Sequence, residues 1–237
     1  EHDQSNWQGY GDAPHTDGIF LRTTGLNSTW DVTIRNSVWY SDQSSSGGTA
    51  SIYLSQGSSA TIYNCVFMSD TKSMAAILVG FDKPVGATQT VRVLNNTFYG
   101  GYRCLILDGN ADAYDIRNNL FCRTIGYEPV SVKLSSLTGL AMDNNLFYAT
   151  DPARCVYYNG YRTLAAWQSV SGQDANSCWA DPLLTNVGVG APSTWDITPT
   201  SSSPALGAGF DLSAYFTTDM DGNVRSVPWD LGAVDVP

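Results

Sequence analysis

A parallel β-helix, an all-β solenoid, is the fold class predicted here, and three observations predict it. First, a short phrase returns five times: Asn36-Ser37-Val38-Trp39, Asn64-Cys65-Val66-Phe67, Asn95-Asn96-Thr97-Phe98, Asn118-Asn119-Leu120-Phe121 and Asn144-Asn145-Leu146-Phe147. The Asn-to-Asn intervals are 28, 31, 23 and 26 residues, and a period in that range marks stacked repeats. Second, short alternating runs precede each phrase, among them Val32-Thr33-Ile34 and Val91-Arg92-Val93; alternation of this kind buries one face of a strand. Third, the large aromatic keeps its distance of three residues from the Asn in all five repeats. An ordinary antiparallel sandwich gives no reason for that spacing to recur.

The geometry of a coil explains the pattern. Strands rise about 3.3 Å per residue and stack about 4.8 Å apart, so roughly 25 residues hold three short strands and three bends. Asn tolerates the left-handed backbone of a sharp bend better than other non-glycine residues. Stacked Asn side chains are expected to hydrogen-bond along the ladder, and the inward aromatics to stack on one another. The first coil is expected to run through 18–22, 30–35 and 38–41, and the second through 51–54, 60–63 and 66–69. The third takes 75–79, 90–94 and 97–100, the fourth 103–107, 113–117 and 120–123, and the fifth 130–134, 140–143 and 146–149. About five to six coils thus span residues 18–158. Residues 1–17 form an N-terminal cap or a truncated upstream coil, and 159–237 a loop-rich cap with one short helix around Arg162–Gln168. Length varies at Gln43–Thr49 and Lys83–Gln89, where insertions project as loops along an edge.

Composition narrows the function classes. Charged residues make up only 14% of the 237-residue chain and its net charge is −10. An acidic balance disfavours nucleic acid, whose binding needs clustered Lys and Arg. It also weighs against polyanions unless a cation or a basic strip offsets the field. No apolar run is long enough for a membrane span. The chain begins without Met or signal peptide, as expected of a mature or trimmed product. Five cysteines, Cys65, Cys104, Cys122, Cys155 and Cys178, show no C-x-x-C spacing, which argues against zinc. Cys155–Cys178 and Cys104–Cys122 are the candidate disulfides, and Cys65 reads as structural filler.

Beyond Phe147 the pattern changes. Leu164-x-x-Trp167-Gln168, Gly172-x-Asp174-x-x-Ser177, Ala180-Asp181-Pro182-Leu183, Ser203-Pro204-Ala205, Asp219-x-Asp221-Gly222-x-x-Arg225 and Asp230-x-Gly232-Ala233 follow in order. This set resembles the C-terminal region of secreted bacterial right-handed parallel β-helix proteins of the pectate-lyase-like superfamily. The resemblance covers 159–235, and the Asn-aromatic repeats extend it over most of the chain. It implies a right-handed coil, an extracellular or cell-surface location and a carbohydrate partner. It implies no single reaction, because that superfamily holds lyases, hydrolases, epimerases and adhesins.

Candidate site residues gather along one edge. Asp42 and Asp70, each three residues past an inward aromatic, fall on adjacent coils about 5 Å apart. Carboxylates that close share a proton, bind a cation or work as a pair; alternatively both are solvated turn residues. Ca2+ held by these two is the one cofactor the sequence suggests. His15-Thr16-Asp17-Gly18 faintly resembles the Asn-Thr-Asp-Gly segment of polygalacturonases, which would make Asp17 catalytic, but no Gly-His-Gly or Arg-Ile-Lys follows. A polysaccharide lyase fits better. β-Elimination from a uronate needs neutralisation of the substrate carboxylate and a base for the C5 proton. His15, Asp17, Lys72, Arg103 and Lys133 are the catalytic candidates, and Tyr10, Arg22, Tyr40, Tyr53 and Tyr99 the substrate-binding ones. The leading expectation is therefore an extracellular lyase acting on a uronate-containing glycan. The alternative is a non-catalytic β-helix for adhesion, glycan binding or fibre assembly, in which Tyr40, Tyr99 and Tyr148 form an outward ladder and the chain self-associates laterally or end to end. Asp219-x-Asp221-Gly222-Asn223 reads as a turn more readily than as a calcium loop, lacking the closing glutamate.

Overall fold

The computed structural model describes residues 18–22, 31–41, 50–55, 57–69, 75–80, 88–109, 111–122, 124 and 126–236, with Arg22 and Ser41 described by backbone alone. Strands follow in triplets: β1 (Ile19–Arg22), β2 (Asp31–Arg35) and β3 (Val38–Ser41), then β4 (Ala50–Ser55), β5 (Ser59–Tyr63) and β6 (Val66–Ser69). Next come β7 (Ala75–Gly80), β8 (Thr90–Leu94) and β9 (Thr97–Gly100), then β10 (Leu105–Asp108), β11 (Ala113–Arg117) and β12 (Leu120–Cys122). The last complete triplet is β13 (Val130–Val132), β14 (Leu140–Asp143) and β15 (Leu146–Tyr148). Each strand pairs in parallel with its equivalent one triplet away, as in Phe67↔Phe98 and Phe98↔Phe121. Three parallel sheets result, and the molecule is a parallel β-solenoid. Five complete rungs are joined by four rises, slightly fewer than the coils expected from the repeats. A sixth rung is incomplete: β16 (Val156–Tyr157), the antiparallel β17 (Tyr161–Arg162), the helix α1 (Leu164–Ser171) and β18 (Cys178–Trp179). The chain ends with an antiparallel pair, β19 (Leu184–Asn186) and β20 (Asp196–Pro199), and long turns.

All five repeat asparagines occupy the left-handed region, with φ between 47° and 58°. The bend lets the aromatic three residues later face inward. Trp39, Phe67, Phe98, Phe121 and Phe147 stack in one column, with centroids 6.1, 4.8, 5.2 and 5.4 Å apart. Ile52, Ile77, Leu105 and Val130 line up opposite them, rung upon rung.

The stacked asparagines hydrogen-bond along the ladder as expected. The continuous inner ladder is made by the second residue of each phrase. Asn96 Nδ2 donates to Asn119 Oδ1 (3.2 Å), Asn119 Nδ2 to Asn145 Oδ1 (3.1 Å) and Asn145 Nδ2 to Asp174 Oδ1 (3.0 Å). Backbone N–H groups of Cys65, Asn96 and Asn119 donate to the carboxamide oxygens of Asn96, Asn119 and Asn145 respectively, each one rung away. The first asparagine, turned outward by its left-handed backbone, binds the C-terminal segment, and Asn118 Nδ2 also donates to Asn95 Oδ1 one rung away (3.0 Å). Asn64 Nδ2 reaches Thr218 O (2.7 Å), Asn95 Nδ2 reaches Asp230 O and Gly232 O, Asn118 Nδ2 reaches Phe210 O, and Asn144 Nδ2 reaches Ala208 O. Residues 203–236 are therefore a strap laid along four rungs. Gly232, at φ 90°, passes so close that a Cβ there would lie 2.7 Å from Thr97 Oγ1 and 2.8 Å from Leu120 Cδ1; only glycine fits.

Two further devices secure the cap. Thr163 Oγ1 accepts the N–H of Ala166 at the start of α1, and Gly172 ends the helix at φ 69°. Trp167, fully buried in the main core, donates its indole N–H to Asp174 Oδ2 at 2.8 Å. Burial pushes Asp174 above the usual carboxylate range, although Ser177, Asn145 and Trp167 pull it down. In the strap, Asp219 accepts N–H groups from Asp221, Asn223 and Asp235 and the Asn223 amide. The Asp219 segment is thus a filled turn, with its carboxylate satisfied by nitrogen donors.

All five cysteines are free thiols. The Cys155–Cys178 expectation is corrected by topology: Cys155 is buried in the main core just before β16, whereas Cys178 opens β18 beside Leu146 on the third sheet. Cys104 faces the main core, whereas Cys122 packs in a separate cluster under the C-terminal segment. Burial pushes the Cys65 thiol up to about 11, so it serves as packing, with Sγ directed at the carbonyls of Ile34 and Tyr63.

Candidate functional site

Two predicted catalytic cations, Arg103 and Lys133, meet in one place. They line a groove of about 460 Å³ on the outward face of the sheet formed by β10, β13 and β16, together with Glu128, Tyr157, Asn159 and Tyr161. Parallel register builds it. Leu105 pairs with Val130, which sets Arg103 and Glu128, each two residues before those positions, side by side on adjacent rungs. Leu107 pairs with Val132, which brings Asp108 beside Lys133 in the same way.

Both juxtapositions are ion pairs. Arg103 Nε lies 2.7 Å from Glu128 Oε1, with side-chain exposures of 19% and 1%. The guanidinium also lies over the Tyr127 ring, 4.2 Å from its centroid, and Tyr127 in turn touches Tyr102. Lys133 Nζ lies 3.1 Å from Asp108 Oδ2, and both of these side chains are exposed. The first pair is fixed by burial and stacking; the second is solvated and contributes about 0–1 kcal/mol. The four charges cancel, so the groove is locally neutral within an acidic molecule.

One atom is left without a partner. Glu128 Oε2 is buried and accepts no hydrogen bond. Such an oxygen typically costs about 1–3 kcal/mol. Arg103, for its part, uses only Nε; neither Nη group donates to any described residue.

Of the other predicted residues, some fall outside the described structure and the rest do not line this groove. His15, Asp17, Lys72, Tyr10, Asp42 and Asp70 fall outside the described residues, as does the Arg22 side chain. Tyr53 is 8% exposed and packs on Phe20 beside Leu78 and Ile106, so its ring is wall rather than platform. Tyr99 is 7% exposed, held edge-on by Trp195 at 5.1 Å. The expected outward tyrosine ladder is interrupted by Met68 and Cys122 in register and roofed by the C-terminal segment. Tyr40 stands 52% exposed on a different sheet from the groove. Among the described residues no cluster of His, Cys, Asp or Glu is arranged to hold a metal ion.

The sequence reading missed Glu128, Asp108, Tyr127, Tyr157 and Tyr161. A signal was present: Arg103 and Glu128, like Asp108 and Lys133, are separated by 25 residues, one coil. Counting backward from the next strand, rather than forward from the aromatic, finds both pairs.

No protein-family model matches the chain, and no curated protein matches it.

Proposed function

We propose that the protein is an extracellular carbohydrate-active β-solenoid that takes a uronate-containing polysaccharide in the groove of β10, β13 and β16 and cleaves it as a lyase. The observation carrying this reading is the convergence of Arg103 and Lys133 with Tyr157, Asn159 and Tyr161 in one trough of oligosaccharide dimensions. Tyrosine rings and amide groups suit sugar faces and hydroxyls. In the reaction, the guanidinium of Arg103 neutralises the uronate carboxylate and so acidifies the C5 proton. Lys133, in its neutral form, removes that proton; the electron pair forms the C4–C5 double bond and expels the glycosidic oxygen from C4. Its pairing with Asp108 must open for this to occur.

That pairing also supports a second reading, a non-catalytic glycan-binding or adhesive solenoid. Both cations are already matched by carboxylates, and the first rung exposes Phe20, Val38 and Tyr40, a surface suited to self-association. One experiment separates the two. Incubation with a panel of uronate polymers, with and without Ca2+, is expected to raise the ultraviolet absorbance of an unsaturated uronate, and Lys133→Ala to abolish it. Binding without that product supports the second reading; absorbance unchanged in Lys133→Ala removes Lys133 as the base.

A further inference from the structure

We infer that Arg103 and Glu128 form a two-point receptor for a glycan that presents a carboxylate together with a free ring hydroxyl, a chemical class narrower than acidic glycans at large. This rests on the reading of the groove as a polysaccharide site and deepens it. Arg–carboxylate pairs are frequently side on, with two parallel hydrogen bonds engaging both oxygens. Here the contact is single, Nε to Oε1 at 2.7 Å. It leaves Nη1 and Nη2 with no described partner and the buried oxygen Oε2 with none. Tyr127 under the guanidinium fixes the plane of the donors, and burial of Glu128 to 1% exposure fixes the carboxylate.

A half-used pair of this kind matches a ligand with complementary halves. The uronate carboxylate takes the two Nη groups as a fork, and a free hydroxyl, at C3 of that ring or on the adjoining sugar, donates to Glu128 Oε2. The hydroxyl half relieves a deficit already present in the free protein, the unpaired buried oxygen, and the carboxylate half uses Nη groups that no described residue engages. Because Oε2 is closed to solvent, the Arg103 side chain, still 19% exposed, must shift as the sugar enters, which selects for ligands that replace its contact. A neutral oligosaccharide offers only the hydroxyl, and a simple anion only the carboxylate. Glu128 also positions Arg103, so its substitution affects both halves.

The test is calorimetric titration of the full chain with a galacturonate trimer, a glucuronate-containing trimer and a neutral xylose trimer, with melting temperature recorded for every variant. Acidic trimers are expected to bind and the neutral one not to. Glu128→Gln, which puts an amide donor where the hydroxyl donates, is expected to weaken the acidic trimers about tenfold, near 1.4 kcal/mol. Arg103→Lys keeps the charge, loses the fork and is expected to do the same, whereas Tyr40→Ala, on a different sheet, retains binding. Acidic trimers bound equally by wild type, Glu128→Gln and Arg103→Lys overturn the receptor while leaving the polysaccharide reading intact. No binding of either acidic trimer to the wild type overturns both. If Glu128→Gln fails to fold, Arg103→Lys alone decides.

Discussion

Arg225 and Arg103 sit on opposite kinds of surface, and their surroundings differ in a way that separates scaffold from site. Arg225 is a strap residue with no side-chain exposure, stacked against Phe216 and Trp229. Its Nη2 reaches Asn64 Oδ1, Gly232 O and Ala233 O, and Nη1 reaches Asp230 O and Asp235 Oδ1. Burial lowers its pKa to about 10 despite Asp235, Asp219 and Asp230 nearby. Arg103 has one ion pair, one ring and two idle donor groups. The Nη groups of Arg225 tie segments of chain together, although its Nε is buried without a partner; those of Arg103, beside a trough, are available to something else. Charge alone does not tell the two arginines apart; the partners of their Nη groups do.

Substitutions can break this contrast, beginning with the largest effect. Arg225→Met is expected to destabilise by about 3–5 kcal/mol in urea unfolding, because Asp235 and several carbonyls lose a buried partner. Arg103→Met should cost clearly less; equal losses would erase the distinction between strap and groove. Tyr99→Ala, under the C-terminal segment, is expected to cost about 3 kcal/mol. Asn119→Ala removes the acceptor used by Asn96 N and Nδ2 and is expected to cost about 2 kcal/mol, read by the same unfolding curves. The strap also carries a pH signature. Burial raises Asp219, but the N–H groups of Asp235, Asn223 and Asp221 together hold it below the usual carboxylate value. Its stabilisation is therefore complete above the ordinary Asp pKa of about 4 and lost as pH falls through the depressed folded value. Asp219→Asn should flatten that acid limb of the stability profile. Smallest of all, Tyr40→Ala in the same column as Tyr99 is expected to change stability by no more than about 0.5 kcal/mol.

The strands were legible almost to the residue because a solenoid has few degrees of freedom. Once the period is seen, Val38–Ser41, Val66–Ser69 and Thr97–Gly100 follow. The inward aromatic column followed for the same reason. Which asparagine builds the ladder was not legible. Both positions are polar, and only the left-handed bend decides that Asn95 meets the strap and Asn118 while Asn96 enters the inner ladder with Asn119. The strap itself escaped because its contacts, such as Asn64 with Thr218 across 154 residues, have no local signature. At the candidate site, Arg103 and Lys133 were found as outward cations. Glu128 was overlooked because the turn before β13 is longer than the one before β10, which shifts it out of step when counted from Phe121.

The C-terminal strap gives this solenoid something repeat arrays generally lack, a fixed length. Its attachment points at Ala208, Phe210, Thr218, Asp230 and Gly232 meet asparagines on four successive levels, so it works as a tape measure printed in coil heights. Splicing in an additional Asn-Asn-Leu-Phe level would satisfy every neighbour along the stack, yet each mark beyond the insertion would fall one level short. Growth by duplication is thereby forbidden to this molecule unless the tape is lengthened in the same event.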